Sequence, residues 1–293
     1  MFNCGMSFNV IGIGEILWDL LPAGKQLGGA PANFAYHAHA LGARSRVISR
    51  VGQDALGAEI LQRLRAMGLS TADIQNDPAA PTGTVTVELS NDGQPRFTIE
   101  EGVAWDGLVL EMSAVAAVAK ADAVAFGTLA QRHQPSRGTI QGLIGAVRSE
   151  AWRILDVNLR QHYFAKDVIA ASLRLANVVK FNDAELPVLA ELLALRGTVR
   201  EQMEQLAQQH SQRAVCLTRG ANGSLLYSEG QWADDPGKPI AVKDTVGAGD
   251  AFTAGLAMGL LAGKSLEVIN RRANEIARYV CSCEGATPPL PEG

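Results

Sequence analysis

The sequence predicts an α/β protein: a mostly parallel central sheet with helices on both faces, plus a small β lid. Three observations carry this. Short β-rich runs alternate with helical stretches along the 293 residues. The helical stretches are amphipathic, each with one apolar stripe. One hairpin of period two interrupts the alternation. Alternating strands and helices cover both faces of a parallel sheet, and a chain of this length can bury one large core.

The first strand is Asn9–Ile13, followed by Arg46–Val51, Ala121–Phe126, Arg153–Asp156, Val178–Phe181 and Ala214–Thr218. Leu56–Met67 puts Ile60, Leu61, Leu64 and Met67 on one helix face, and Leu266–Val280 does the same with Ile269, Ala273, Ile276 and Val280. Thr253–Leu261 is a helix of small residues. The interrupting hairpin is Thr82–Leu89, the turn Asn91-Asp92-Gly93 and the return Arg96–Glu100. Ile16–Leu21, followed by Gly28-Gly29, is also extended and can pair with it. No repeat, low-complexity tract or interdomain linker is visible. Residues 1–293 are therefore expected to form a single domain, its lid built from about 16–32 and 82–104.

Composition removes several function classes. At 47% hydrophobic and 19% charged residues the chain is an ordinary soluble one rather than a long disordered one. A net charge of −4 without a basic run argues against a nucleic-acid or anionic-membrane surface. The N-terminal stretch is apolar, yet no Lys or Arg precedes it and Glu15 and Asp19 interrupt it. It reads as a strand, not a signal peptide, and no other segment is long enough to span a bilayer. Cys4, Cys216, Cys281 and Cys283 form no C-x-x-C pair and no zinc spacing, as expected of reduced thiols in a cytoplasmic protein.

The most informative string runs from Asp244 to Phe252, D-T-V-G-A-G-D-A-F. Gly247, Ala248 and Gly249 have little or no side chain, so their N–H groups can face an anion, and a following helix end adds to that field. Asp250 would repel a phosphate. It makes sense there if it faces a second substrate and takes its proton. The residues alone allow equally a tight turn with Asp250 as helix cap.

The whole string resembles the C-terminal signature of the ribokinase-like (PfkB) carbohydrate kinases, D-T-x-G-A-G-D-x-F. Four more elements extend the resemblance over nearly the entire chain. Gly28-Gly29-Ala-Pro-Ala-Asn33 is similar to the family's G-G-x-x-x-N sugar signature, and Gly52-Gln-Asp54 with Gly57 to its G-x-D-x-x-G element. Asp156-Val-Asn158-Leu-Arg160 resembles its D-x-N-x-R strand end, and Asn182-Asp-Ala-Glu185 its N-x-x-E motif. The resemblance implies an ATP-dependent kinase of a small sugar, with Asp250 as catalytic base and Gly247, Ala248 and Gly249 as anion hole. The run from Gly14-Glu-Ile-Leu-Trp-Asp19 to His37, with Glu101-Gly-Val-Ala-Trp-Asp106, looks like the bacterial fructokinase branch. Ribose, 2-keto-3-deoxygluconate and nucleosides stay open as substrates, as does a catalytically silent sugar- or nucleotide-binding regulator.

Each implied position has a physical reason. Asp19 and Asn33 suit vicinal hydroxyls, and Gly29 lets backbone approach a sugar closely. Phe97 on the hairpin could cover a sugar face. Asn158 and Arg160 end a strand where a fork of donors could reach a transferring phosphate, although a surface ion pair is the plainer role for Arg160. Asn182 and Glu185 suit the water shell of a Mg²⁺, or simply a helix start. Thr218, Gly220 and Gly223 resemble a nucleotide loop, and Asn274 the edge of an adenine pocket. Asp244 and the carbonyl of Val246, with Gly285-Ala-Thr287, resemble a monovalent-cation loop for K⁺. The resemblance also implies a homodimer formed through lid edges, since exposed hairpin edges seek partners. Two look-alikes fail: Gly12-Ile-Gly14 lacks the third dinucleotide glycine, Leu17 standing there, and Gly259–Ser265 is one residue short of a Walker loop.

Overall fold

The computed structural model describes residues 7–21, 24–89 and 95–291, and of 87–89 and 95–97 only the backbone. The first half holds β1 (Asn9–Ile13), β2 (Leu17–Leu21), β3 (Gly24–Gly28), α1 (Ala30–Ala40), β4 (Arg44–Gly52), α2 (Ala55–Ala66) and β5 (Ile74–Asp77). Then come β6 (Gly83–Leu89), β7 (Pro95–Ile99), α3 (Met112–Val118), β8 (Ala123–Phe126), α4 (Gln134–Gly145), β9 (Trp152–Asp156) and α5 (Lys166–Leu175). The rest is β10 (Val178–Asn182), α6 (Leu186–Leu193), α7 (Val199–His210), β11 (Ala214–Thr218), β12 (Ser224–Ser228), β13 (Gln231–Asp235), α8 (Ala248–Leu261) and α9 (Leu266–Cys281).

A nine-stranded sheet runs β13-β12-β11-β10-β9-β8-β1-β4-β5. It is parallel from β11 to β5, as the alternation predicts, and β12 and β13 add an antiparallel edge that the sequence reading missed. Side chains alternate between its faces with period two. Ile11, Ile13, Val124, Phe126, Leu155, Val179 and Phe181 pack with the helices on one side. Val10, Ala123, Ala125, Ile154, Val178 and Ala214 pack against Phe34 of α1 and Phe252 and Met258 of α8 on the other. The second face carries several alanines, so α1 and α8 can lie close to the strands. Gly12 shows how close: a Cβ there would stand 2.1 Å from the carbonyl oxygen of Pro31 in α1.

A separate four-stranded sheet runs β3-β2-β6-β7. β2 pairs in parallel with β6, the pairing expected between Ile16–Leu21 and the hairpin. The G-x-D-x-x-G element anchors this sheet. Asp54 caps α2 by accepting from the N–H of Gly57 at 2.8 Å, and also accepts from the N–H of Thr82 at 2.8 Å and its hydroxyl at 2.7 Å. Thr82 immediately precedes β6, so one carboxylate fixes both a helix start and a strand start.

Gly12→Ala should lower stability by about 1–3 kcal/mol, because backbone cannot yield to the added methyl. Gly138→Ala in α4, where a Cβ meets nothing within 4 Å, should instead raise it by roughly 0.5–1 kcal/mol. Urea denaturation of both variants checks the contrast. Equal midpoints would show that close approach at Gly12 does not matter.

Candidate active site

The carboxyl ends of β8 and β9, with Lys180 of β10, meet the N-terminus of α8. The helix begins earlier than the small-residue run alone indicated, at Ala248, with Gly247 as cap at φ 76°. Asp250 therefore stands in the first turn, where the leading N–H groups have no partner within the helix. Behind the cap, a Cβ on Gly247 would lie 2.5 Å from the carbonyl oxygen of Ala286. That carbonyl accepts from Nε2 of the buried His37 at 2.9 Å, which ties the C-terminal loop to α1. Burial pushes the His37 ring down to about 4, so the bond is made by neutral imidazole. Asp244 joins the same loops, accepting from the N–H groups of Val246 at 3.0 Å and Gly285 at 3.1 Å.

The structure brings the two signature motifs into contact. The side-chain amide of Asn33 donates to Asp250 at 2.8 Å. Burial, then the Asp156 charge, lift the Asp250 carboxyl to about 6, against the lowering effect of Asn33, Lys180 and Arg160. A small cavity of about 20 Å³ beside it is lined by Pro31, Phe34, Phe126, Asp156, Asn158 and Thr253. Asp19 lies across from Gly28, where a Cβ would fall 2.5 Å from its carboxylate oxygen, so Gly28 makes room for the carboxylate. Gly29, at φ 109°, sits so close to the Glu15 carbonyl that a Cβ would approach it to 2.5 Å. Burial raises Asp19 to about 6, with Arg160 opposing.

Two functional groups escaped the sequence reading. Glu15 is buried, one of its oxygens has no partner, and burial raises it to about 7. Arg160 is exposed, and its charge opposes the raised values of Glu15, Asp19 and Asp250 alike. Lys180 is the second. Its ammonium lies 2.9 and 3.1 Å from the two oxygens of Asp156, its register partner across β9 and β10. Asp156 also accepts from the Thr253 hydroxyl of α8 at 3.0 Å. A Cβ on Gly249 would come within 3.1 Å of the Lys180 nitrogen. A side chain at 249 would therefore crowd that ammonium, which would have to give by a few tenths of an ångström. The signal was present: a lysine inside the apolar run Val178–Phe181 needs a buried partner.

Other predicted residues are placed differently. Asn182 and Glu185 do not share a helix; Asn182 ends β10 and α6 begins after Glu185. Glu185 accepts from the N–H groups of Asn182 and Leu159, each at 2.8 Å, while Asn182 accepts from the N–H of Glu185 at 2.9 Å. Among the described residues no group of three or more His, Cys, Asp or Glu could hold a metal ion. Glu185 keeps a further lone pair on each oxygen, a donor set that fits an ion retaining most of its waters. Thr218, Gly220 and Gly223 form the turn between β11 and β12, and Gly220 and Gly223 adopt φ 54° and 74°. Asn274 is buried and its amide donates to the Ser224 hydroxyl at 2.6 Å, so it braces α9 against β12. Phe97 lies on β7, but its side chain is outside the described residues.

A carboxyl held by Asn33 in the first turn of a helix, above the buried Lys180–Asp156 pair, sets a group able to take a proton beside a helix end able to receive an anion. The chain belongs to the pfkB family of carbohydrate kinases, whose profile matches residues 23–293. It is 30% identical to the fructokinase of Escherichia coli over 268 residues, covering 87% of this chain and 85% of that one. A fructokinase of Vibrio cholerae solved with fructose, ADP and calcium matches with a TM-score of 0.82 at 26% identity, over 98% of this chain and 96% of that one. An uncharacterized sugar kinase of Pyrococcus horikoshii solved with ATP gives 0.77 at 28% identity, over 95% and 93%.

Removing one member of the buried pair leaves its partner charged and unmatched. Lys180→Met should destabilise the protein by about 3–5 kcal/mol, and adding Asp156→Asn should recover much of that loss. Chemical denaturation of the single and double variants decides. A single variant as stable as wild type would mean the pair carries no stability.

Proposed function

We propose that the protein transfers the γ-phosphate of ATP to the C6 hydroxymethyl of D-fructose, giving fructose 6-phosphate. The hydrogen bond from Asn33 to Asp250 is the observation that carries this reading, because it joins the residue suited to sugar hydroxyls to the residue suited to take a proton. In this reading Asp19, Gly29, Asn33 and Asn158 hold the sugar, with Phe97 from the hairpin covering it. Asp250 accepts the hydroxyl proton as the oxygen attacks. The first-turn amides of α8, from Gly247 to Gly249, and the Arg160 guanidinium stabilise charge on the group in transit. Thr218, Gly220, Gly223, Asn182 and Asn274 shape the nucleotide side.

A Mg²⁺ travelling with the nucleotide would be held through its waters by Asn182 and Glu185, and supplies charge neutralisation at the phosphates. Asp244 and the Val246 carbonyl would hold K⁺ beside the helix cap. The β2, β3, β6 and β7 sheet would act as a lid on a single domain, excluding water as a competing acceptor. Its outer strands β3 and β7 are the edges through which a homodimer would form. Dependence on ATP and the free thiols of Cys216, Cys281 and Cys283 suit a cytoplasmic enzyme.

Asp250→Asn should keep ATP binding and lose on the order of 10²–10⁴ in kcat. A base must be ionised, and Asp250 is raised to about 6, so wild-type kcat/KM should fall as pH drops through that value, roughly two units above an ordinary aspartate. An acid limb near pH 4 in wild type, or an Asp250→Asn variant with more than about half of wild-type kcat, would remove the base assignment.

The sugar itself is testable apart from the chemistry. Across ketoses, pentoses, sugar acids and nucleosides, D-fructose should give the highest kcat/KM, with product NMR placing the phosphate on C6. Asp19→Ala should cost about 1–3 kcal/mol, tenfold to hundredfold in kcat/KM for fructose, and flatten discrimination among sugars. Ribose or 2-keto-3-deoxygluconate ahead of fructose would replace the substrate and leave the kinase chemistry standing.

A further inference from the structure

Arg160 rides on a short segment held from two directions. On one side Glu185 accepts from the N–H of Leu159 at 2.8 Å. On the other, the carbonyl of Arg160 accepts from the N–H of Tyr163 at 2.9 Å, closing a turn. Asn158 and Gln161 flank the arginine with left-handed backbones, φ 44° and 48°. Such conformations are costly for residues with side chains and persist only when their surroundings enforce them.

Tyr163 supplies part of that enforcement. Its hydroxyl lies 3.1 Å from the carbonyl oxygen of Ile99, the last residue of β7, and 2.9 Å from a carboxylate oxygen of Glu101. Its ring packs on the Arg132 guanidinium at 4.7 Å, and that guanidinium lies 4.1 Å from the ring centre of Trp105. Arg132 is nearly buried, makes two 2.8 Å bonds to Asp106, and donates to the carbonyl of Glu100. Trp105 covers Gly83, the first residue of β6, where a Cβ would fall 2.3 Å from the indole nitrogen. The β6–β7 hairpin thus enters under Trp105 and leaves past Tyr163, and one stack of three side chains holds both connections.

We propose that Tyr163 is a positioning residue, whose hydroxyl couples the exit of the β6–β7 hairpin to the segment that carries Arg160. The placing of the small sheet then sets where the guanidinium points. In its catalytic consequence this rests on the kinase reading above; the mechanical link does not.

Tyr163→Phe deletes the hydroxyl and keeps the ring on Arg132. Hydrogen exchange of the segment 158–162 in the substrate-free protein should speed up by about fivefold, the worth of one hydrogen bond. Phosphorylation kinetics should show kcat down by about fivefold with the KM for ATP unchanged, and in an Arg160→Ala background the same substitution should change kcat less than about twofold. A purely structural role would cost the same in both backgrounds. Unchanged exchange at 158–162, or equal kcat losses in the two backgrounds, overturns the proposal. The exchange measurement needs no substrate, so it judges the link even if wild-type protein transfers no phosphate to any sugar. That outcome would sink the kinase reading instead.

Discussion

At the ends of β9 and β10 a lysine ammonium and an aspartate face each other out of water, and the active-site end of the molecule is arranged around them. Lys180 and Asp156 are register partners on the face of the sheet that α8 covers. Each would be expensive to bury alone, and together they leave little net charge. Thr253 adds a hydroxyl from α8 to the same carboxylate, which fixes the rotation of the helix over the strands. With α8 so seated, its N-terminus opens at the strand ends and Asp250 meets Asn33 from α1. Asp250 feels both members of the pair: after burial, the Asp156 charge raises its carboxyl and the Lys180 charge lowers it.

Geometry at the cleft follows from what lies beneath it. The α1 and α8 face of the sheet is built from small side chains, with Gly12 and alanines of β8 and β11 in its central strands. The helices therefore approach until backbone meets side chain or backbone. The opposite face carries the larger residues, Ile13, Phe126, Leu155 and Phe181, and most of the hydrophobic core. Close seating on one side and bulk on the other are two solutions to the same requirement of dense packing. The close-seated side brings the N-terminus of α8 to the strand ends, where Asp250 meets Asn33.

Much of this was legible in the sequence, and the limits have physical causes. Six of the seven parallel strands, the hairpin and its pairing with β2 were readable because period two and turn residues are local signals, while the short edge strand β5 escaped. The β12–β13 edge was not, because its short strands follow β11 without the helix that announces a parallel neighbour. The Asp250 string was readable through its resemblance to a family signature, since its residues alone suited a tight turn equally well. Glu15 stood inside a quoted motif, but its role depends on burial, which one residue cannot reveal. Lys180 was the opposite case: a charge in an apolar strand asks for a partner, and Asp156 two strand positions beyond Ile154 was already in view. Asn274 shows the limit of position alone. It lies on α9 as expected, and what the sequence could not show is that its amide donates to the Ser224 hydroxyl and the Asn270 carbonyl.

The contact between Gly249 and Lys180 has a consequence for how such a chain can change over time. An alanine methyl at 249 would stand 3.1 Å from the ammonium, and the lysine would have to shift by a few tenths of an ångström, disturbing its two bonds to Asp156. Replacements at 156, 180 and 249 would therefore not be independent of one another, although the last two positions lie sixty-nine residues apart in the sequence.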